Sequence, residues 1–305
     1  MKYIIICGPT GSGKTELAVE LARHYRGEII SADSRQIYKE VNIGTAKPRP
    51  EECRGVAYHL IDFLDLARRF SAHQFAVMAA DLISEIDAKG KVPFVVGGTG
   101  LYLEALTEGL FDSPEPDYAY RRHLEELAGN KGTEYLHKLL AQIDPISAAR
   151  IKPNDQARLI RSLEVCKLTG QPLSAIRGRR RPAVAAKPLW IGLLPARKKL
   201  YEKINARVDK MINEGLEQEV LSLNNRQAEL RQRKLVGYTE MIEYLLDKKL
   251  SRSEAIEKFK QHHRNYAKRQ ITWFRKVAEI CWFDPEDRKF HSDVNKRCDE
   301  YLKKA

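Results

Sequence analysis

No stretch of this 305-residue chain is long and apolar enough to suggest a membrane span, and "KYIIIC" begins at once without a basic leader or a cleavage pattern. Neither a membrane partner nor a secretory signal is expected, and the cytoplasm is the expected compartment. Cysteine is scarce and scattered: Cys7, Cys53, Cys166, Cys281 and Cys298 contain no CxxC pair and have no histidine at finger spacing. That argues against a zinc site or a disulfide framework and for idle or buried thiols in a reducing compartment. Internal repeats and low-complexity tracts are missing too. What is present, 43% hydrophobic and 31% charged residues, is the composition of an ordinary globular protein with one or two cores.

The net charge of +12 is unevenly spread. Residues 1–111 hold 13 Lys and Arg against 14 Asp and Glu, residues 112–187 hold 14 against 9, and residues 188–305 hold 26 against 18. A near-neutral first part followed by two basic ones points to a polyanion partner, nucleic acid first, away from the first part of the chain.

Short apolar runs, "YIIIC", "GEIISAD" and "KVPFVVGGTG", alternate with helix-like segments and fit parallel strands buried on both faces. "HQFAVMAADLISEIDAKG" has helical spacing and stops at Gly90, suited to a C-cap. Two prolines in "FDSPEPDYAYRR" mark a boundary, after which the pattern is helical up to "IRGRRRP". "PLWIGLLP" then resumes the strand pattern. The expected fold is α/β: a phosphate-loop core with a parallel sheet flanked by helices, formed by 1–111 and 187–305, with a helical insertion over 112–186 and a basic helical C-terminal part.

Gly8-Pro9-Thr10-Gly11-Ser12-Gly13-Lys14-Thr15 fits GxxxxGK[ST] between a strand and a helix. Glycines let backbone N–H groups converge on phosphate oxygens, Lys14 adds a point charge, and the Thr15 hydroxyl can ligate magnesium. The motif implies a bound diphosphate or triphosphate and leaves open what is transferred. Asp33, in "SADSRQIY", follows the second strand. The carboxyl ends of adjacent strands border one crevice, so Asp33 is expected to face the phosphate loop, as a general base or an indirect magnesium anchor, or else to serve simply as a helix N-cap. The third strand ends in Gly97-Gly98-Thr99-Gly100, where a nucleotide-hydrolysing enzyme carries a magnesium carboxylate. Its absence weakens an ATPase reading, and the glycines suggest a close backbone approach to a ligand with Thr99 as a donor. His59 is expected to be structural, and Asp62 is a candidate to support magnesium at one remove.

In order, "GPTGSGKT", "ISADSRQIYK", "IGTAKP", "YHLID", "FSAHQFA", "VGGTGLYLEAL", "PNDQARLIRSLEV", "LVGYTE" and "AKRQITWFR" span almost the whole chain. Together they resemble the tRNA dimethylallyltransferase (tRNA isopentenyltransferase) family, in its bacterial form, since no zinc finger of the eukaryotic kind is seen. The resemblance implies transfer of a dimethylallyl group from dimethylallyl diphosphate to N6 of adenosine 37 of tRNA, with magnesium assisting. It implies that Asp33 takes the N6 proton, that Thr99 and Arg207 attend the diphosphate and its bridging oxygen, and that Gly8 to Thr15 bind it. It further implies tRNA contacts from Asp33, Ser34, Arg35, Gln36, Thr99 and Arg121, and from the segment Ala157, Arg158, Leu159, Ile160 and Arg161. Gly100 stands where some members have a larger residue, an exchange expected to be neutral.

The exocyclic amine of adenine is a weak nucleophile, so a positioned base has to take its proton as the new bond forms, while Lys14, Arg207 and magnesium stabilise the departing diphosphate. The target base would be flipped out of the anticodon loop. Phosphate contacts are expected from Arg158, Arg161, the run Arg179 to Arg181, Lys268 and Arg269. Trp273 and Phe274 are expected in the core, and the chain is expected to act as a monomer. A small-molecule or nucleoside kinase is the alternative from another class. A non-catalytic RNA binder with a relict phosphate loop, and a prenyltransferase acting on free adenylate, are further rivals.

Overall fold

The computed structural model describes residues 1–110, 114–176, 178 and 181–303, so Arg179 and Arg180 lie outside the described residues. The chain divides into two compact units, Met1–Thr107 with Ala183–Ala305, and Glu108–Pro182. Each division falls four residues before the one the sequence pattern suggests.

The first unit is built on a parallel sheet of β1 (Ile4–Cys7), β2 (Glu28–Ser31), β3 (Tyr58–His59), β4 (Pro93–Gly97), β5 (Leu189–Leu193) and β6 (Cys281–Phe283). The strand order is β3-β2-β4-β1-β5-β6. Ile4, Ile5 and Ile6 have no exposed surface, because helices cover both faces. Burying each such side chain contributes about 1.5–3 kcal/mol. Leu17 and Leu21 of the Lys14–His24 helix pack with Ile4, Ile6 and Phe94 on one face, joined by Phe290, Val294 and Cys298 of the Phe290–Lys303 helix. The Ala72–Ala88 helix starts at Ser71, whose Oγ accepts the Gln74 N–H at 3.1 Å, and is followed by Gly90 at φ 69°. The helices Arg197–Asn213 and Arg252–Phe274 are joined by a small apolar cluster of Leu200, Ile204 and Ala267.

Two readings of the sequence are corrected here. β2 is not the neighbour of β1; β4 lies between them, so Asp33 faces the phosphate loop across the Gly97-Gly98 turn and not from an adjacent strand. The edge strands β3 and β6 escaped the sequence pattern because two and three residues carry no detectable period. In register, Cys7 sits opposite Gly97 and Gly192, so β1, β4 and β5 end level with one another at the edge where the loops carry chemistry.

The second unit is helical. Tyr118–Lys131, Thr133–Ile143, Pro145–Arg150 and Gln156–Thr169 enclose a core that includes Leu124, Leu136, Leu140, Leu159 and Leu163. Asp117, Asp144 and Asp155 cap three of these helices by accepting backbone N–H bonds from Tyr120, Ser147 and Arg158.

Candidate functional site

The phosphate loop follows β1, and its glycines occupy backbone regions that other residues avoid: Gly11 at φ 79° and Gly13 at φ 92° turn the chain into the N-terminus of the Lys14–His24 helix. That terminus presents unpaired N–H groups and the positive end of the helix dipole to an anion. Lys14 Nζ reaches back over the loop and donates to the Pro9 carbonyl at 2.6 Å. Burial, followed by the neighbouring Arg207 guanidinium, pulls the Lys14 ammonium down to about 8, against smaller opposing effects from Asp33 and Cys7. Arg207 is lowered by burial as well. Among the described residues, neither cation has a carboxylate within ion-pair distance. Two half-buried cations answered by no carboxylate are arranged for an anion from outside the chain.

Asp33 stands just past β2 and caps a turn, not a helix. Its Oδ1 accepts the N–H groups of Arg35 at 2.9 Å and Gln36 at 3.4 Å. Both bonds go to one oxygen, which fixes the carboxylate plane, while the second oxygen makes no hydrogen bond among the described residues. The Thr99 hydroxyl accepts the Ser34 N–H at 3.0 Å and donates to Ser34 Oγ at 3.3 Å, tying the turn after β4 to the Asp33 turn. Glycine is required at 97 and 98 by protein contacts: a Cβ on Gly97 would stand 2.1 Å from the Ala32 carbonyl oxygen, and one on Gly98 2.1 Å from Gln270 Nε2. At Gly100 a Cβ would meet Trp273 Cδ1 at 2.2 Å, so a larger residue there forces the indole to move and is not neutral.

These parts converge on two cavities. A smaller one of about 70 Å³ is lined by Asp33, Arg35, Gln36, Lys14, Tyr266 and Gln270, among others. A larger one of about 610 Å³ is lined by the phosphate loop, the 42–54 segment and the Arg197–Asn213 helix. Lys14, Thr15, Arg207 and Met211 border both. The loop at 42–44 is held by Glu219, whose carboxylate accepts the Asn42 and Ile43 N–H groups at 3.0 Å and the Tyr238 hydroxyl, while the Tyr238 ring lies where a Cβ on Gly44 would be. Thus "IGTAKP" and "LVGYTE", far apart in sequence, form one wall. Thr99 and Ser34 border neither cavity; they brace the turn that does.

The sequence reading missed three side chains of the Arg252–Phe274 helix. Gln270 bridges the phosphate loop and β4, its Oε1 accepting the Thr10 N–H at 2.8 Å and its Nε2 donating to the Gly98 carbonyl at 2.9 Å. Tyr266 carries the Arg35 guanidinium 4.2 Å over its ring and interacts with Thr99, and burial raises its hydroxyl. His263, buried, borders the smaller cavity. The signal was present in the spacing, since positions 263, 266 and 270 share a helix face. On the same helix Lys268 and Arg269 are exposed, Phe274 is buried and Trp273 half-buried.

His59 has a structural place, its Nε2 2.7 Å from Glu28, which also accepts from Lys91 at 2.7 Å. Asp62 pairs with Lys47 at 2.5 Å and borders neither cavity, so it is not placed to support a metal. In the helical unit, Arg121 forms a two-point pair with the wholly buried Glu164, at 2.7 and 2.8 Å, and Arg161 binds the same carboxylate. Burial alone would push Glu164 up; the two guanidiniums outweigh it and hold it below the usual range. Leu159 and Ile160 point into the core, so of this segment Ala157 and Arg158 are the exposed residues. Arg181 is exposed too.

As to magnesium, no group of three or more His, Cys, Asp or Glu among the described residues could hold a metal. The exposed Thr15 hydroxyl beside Lys14 fits a magnesium ion carried mainly by diphosphate oxygens and water, which is how that ion is usually held.

The model of one family, described as IPP transferase, matches residues 36–277. The tRNA dimethylallyltransferase of Geobacillus thermodenitrificans (strain NG80-2) is 47% identical over 289 residues, covering 94% of this chain and 91% of the relative. That of Geobacter metallireducens is 45% identical over 288 residues, covering 93% and 92%. Among solved structures, a tRNA isopentenylpyrophosphate transferase from Bacillus halodurans is similar with a TM-score of 0.69 at 40% identity, covering 99% of this chain and 98% of its own. A eukaryotic dimethylallyltransferase described as acting on tRNA is similar with a TM-score of 0.79 at 27% identity, covering 98% and 77%.

Proposed function

The chain belongs to the IPP transferase family, and from that premise we infer that it transfers a dimethylallyl group from dimethylallyl diphosphate to N6 of adenosine 37 of tRNA, releasing diphosphate. The enzyme is a prenyltransferase that modifies tRNA. The observation that carries the reading is the pairing of two half-buried cations, Lys14 and Arg207, with a carboxylate, Asp33, in one cavity. A kinase is not favoured: nothing at the end of β4 offers a magnesium carboxylate, since Gly97, Gly98 and Thr99 occupy that turn.

The diphosphate lies where the two cavities meet, against the loop amides, Lys14 and Arg207, and the larger cavity admits it. As the allylic C–O bond breaks, negative charge grows on the leaving group and the buried cations stabilise it where it develops. Asp33, fixed through Oδ1, takes the N6 proton as the new C–N bond forms, and Arg35 and Gln36 border the same pocket. Thr99 acts through Ser34 to hold that turn. When bound, magnesium would rest on Thr15 and the diphosphate oxygens and neutralise part of their charge. The anticodon stem is contacted by exposed cations, Arg158, Arg181, Lys268 and Arg269. The enzyme works as a monomer in the cytoplasm, where tRNA is found.

Incubation with magnesium, dimethylallyl diphosphate and an anticodon stem-loop containing three consecutive adenosines, followed by digestion and mass analysis, is expected to yield N6-dimethylallyladenosine. Asp33→Ala is expected to keep tRNA binding and to lose about 10²–10⁴-fold in turnover. No modified nucleoside with the parent, or normal turnover in Asp33→Ala, would overturn the reading and the base assignment respectively.

A further inference from the structure

Of the polar side chains named around the smaller cavity, most are already committed within the protein. Gln270 spends both ends of its amide on Thr10 and Gly98, and Tyr266 faces Thr99 and carries Arg35. Asp33 uses one oxygen on its own turn. Two buried groups around the cavity are uncommitted, the Tyr58 hydroxyl and His263, and of these His263 lies on the helix that carries Tyr266 and Gln270: it is 4% exposed, it borders the cavity, and its Nδ1 is buried with no hydrogen-bond partner among the described residues. A buried polar group left this way costs about 1–3 kcal/mol unless something completes it. The ring is held in place by Phe259, tilted against it at 4.8 Å, and it stands one turn before Tyr266 and two before Gln270 on the same helix face.

We propose that His263 is a contact residue for the acceptor base, donating an imidazole N–H to a ring nitrogen of the adenine whose N6 faces Asp33. The inference rests on the prenyl-transfer reading above. Once N6 is assigned to Asp33, the hydrogen-bonding sites left on adenine are N1, N3 and N7, all acceptors, so the partner they require is a donor. A neutral imidazole supplies one without adding a further positive charge to a pocket that already holds Lys14, Arg35 and Arg207. Its neutrality follows from its surroundings: burial first, then Arg35, Arg207 and His262, disfavour the imidazolium and push its pKa down to about 3. A lysine or arginine at 263 would meet the same repulsion and would not be equivalent.

The test pairs variants of the enzyme with altered bases. Stem-loops carrying 1-deaza-, 3-deaza- or 7-deazaadenosine at the target position each lack one ring nitrogen. With the parent enzyme, one of the three is expected to lose about tenfold in kcat/KM for RNA relative to adenosine. In His263→Phe that penalty disappears, because the donor is gone and adenosine itself has become the poorer substrate by a similar factor. His263→Asn, which keeps a donor near Nδ1, restores part of the discrimination and guards against a folding effect, as does unchanged binding of dimethylallyl diphosphate. Equal penalties in the parent and His263→Phe, or no penalty for any analogue in the parent, overturn the contact while leaving the reaction intact. A parent that leaves the unmodified stem-loop untouched removes the functional reading, and this contact with it.

Discussion

Lys14 and Arg207 in the phosphate-loop unit, and Arg121 and Arg161 in the helical unit, are all half-buried cations, yet their surroundings are opposite. In the helical unit the wholly buried Glu164 answers both guanidiniums and accepts the Asp117 N–H at 2.8 Å besides, so the cluster is complete within the protein. In the cavity, burial acts on Lys14 and Arg207 with no carboxylate within ion-pair distance among the described residues, Asp33 opposing it only at longer range, and both are pushed toward their neutral forms. The same residue types therefore serve stability in one place and recognition in the other. Counting basic residues does not separate the two; asking which have a carboxylate already does.

Breaking each cluster in turn tests this difference. Arg207→Met is expected to lower kcat/KM for dimethylallyl diphosphate by about 10²–10³-fold, measured with saturating tRNA, because the cation acts on charge that develops in the transition state. Its melting temperature should stay level or rise, since a desolvated cation has been removed. Glu164→Gln is expected to do the reverse. It leaves two guanidiniums against a neutral amide and destabilises by about 3–5 kcal/mol, read as a lower urea midpoint, with KM for dimethylallyl diphosphate unaffected. If both variants lost stability alike, the distinction between answered and unanswered cations would be wrong.

A gentler probe of the cavity is proton uptake. With Lys14 near 8 in the free enzyme, a bound diphosphate favours the charged amine and raises that value. Affinity for the diphosphate is then full below about pH 8 and falls as pH climbs from there toward the raised value of the complex, with a proton taken up on binding near pH 8. Calorimetry in two buffers of different ionisation enthalpy, between about pH 7 and 9.5, is expected to show this uptake. Removing Arg207 takes away its repulsion and moves the transition to higher pH. Binding that is flat over this range would mean that the Lys14 ammonium is not the group facing the diphosphate.

Much of this was legible in sequence because it is local. The phosphate loop is one continuous turn whose glycines, at φ 79° and 92°, announce the backbone they adopt, and Asp33 and Gly97-Gly98-Thr99 each follow an apolar strand directly. What was hidden depends on long-range pairing. The position of β4 between β2 and β1 decides that the strand next to the phosphate loop ends in the glycine turn and that Asp33 reaches the same cavity from one strand further out, and no run of residues encodes that order. Gln270 closes the loop from 260 residues away, through a helix whose sequence looks merely amphipathic. Glycine at 98 is explained only by that same amide, and glycine at 100 only by Trp273. Arg121 and Arg161 read as tRNA contacts, and their place in an internal cluster was hidden, because Glu164, their partner, cannot be recognised as buried from its position in a basic helix.

The smallest expected effect sharpens the comparison from the other side. The Arg158 side chain is 64% exposed, and its one ion pair among the described residues is a 3.4 Å contact with Asp155, three residues earlier, which is weak in water. Its guanidinium is therefore available to a phosphate in a way that Arg121, bound at two points to Glu164, is not. Arg158→Ala is expected to raise KM for tRNA several-fold and to reduce the slope of log affinity against log salt by about 1, with stability changed by no more than about 0.5 kcal/mol. Arg121→Ala, one helix away, should instead lower the urea midpoint, because it strands a buried carboxylate with half of its partners. Filter-binding across a salt series, alongside denaturation of both variants, separates the two. Equal salt slopes in Arg158→Ala and the parent would place the phosphate contact elsewhere among the exposed cations, whereas an Arg121→Ala that kept its stability but lost salt dependence would reverse the roles assigned to the two arginines.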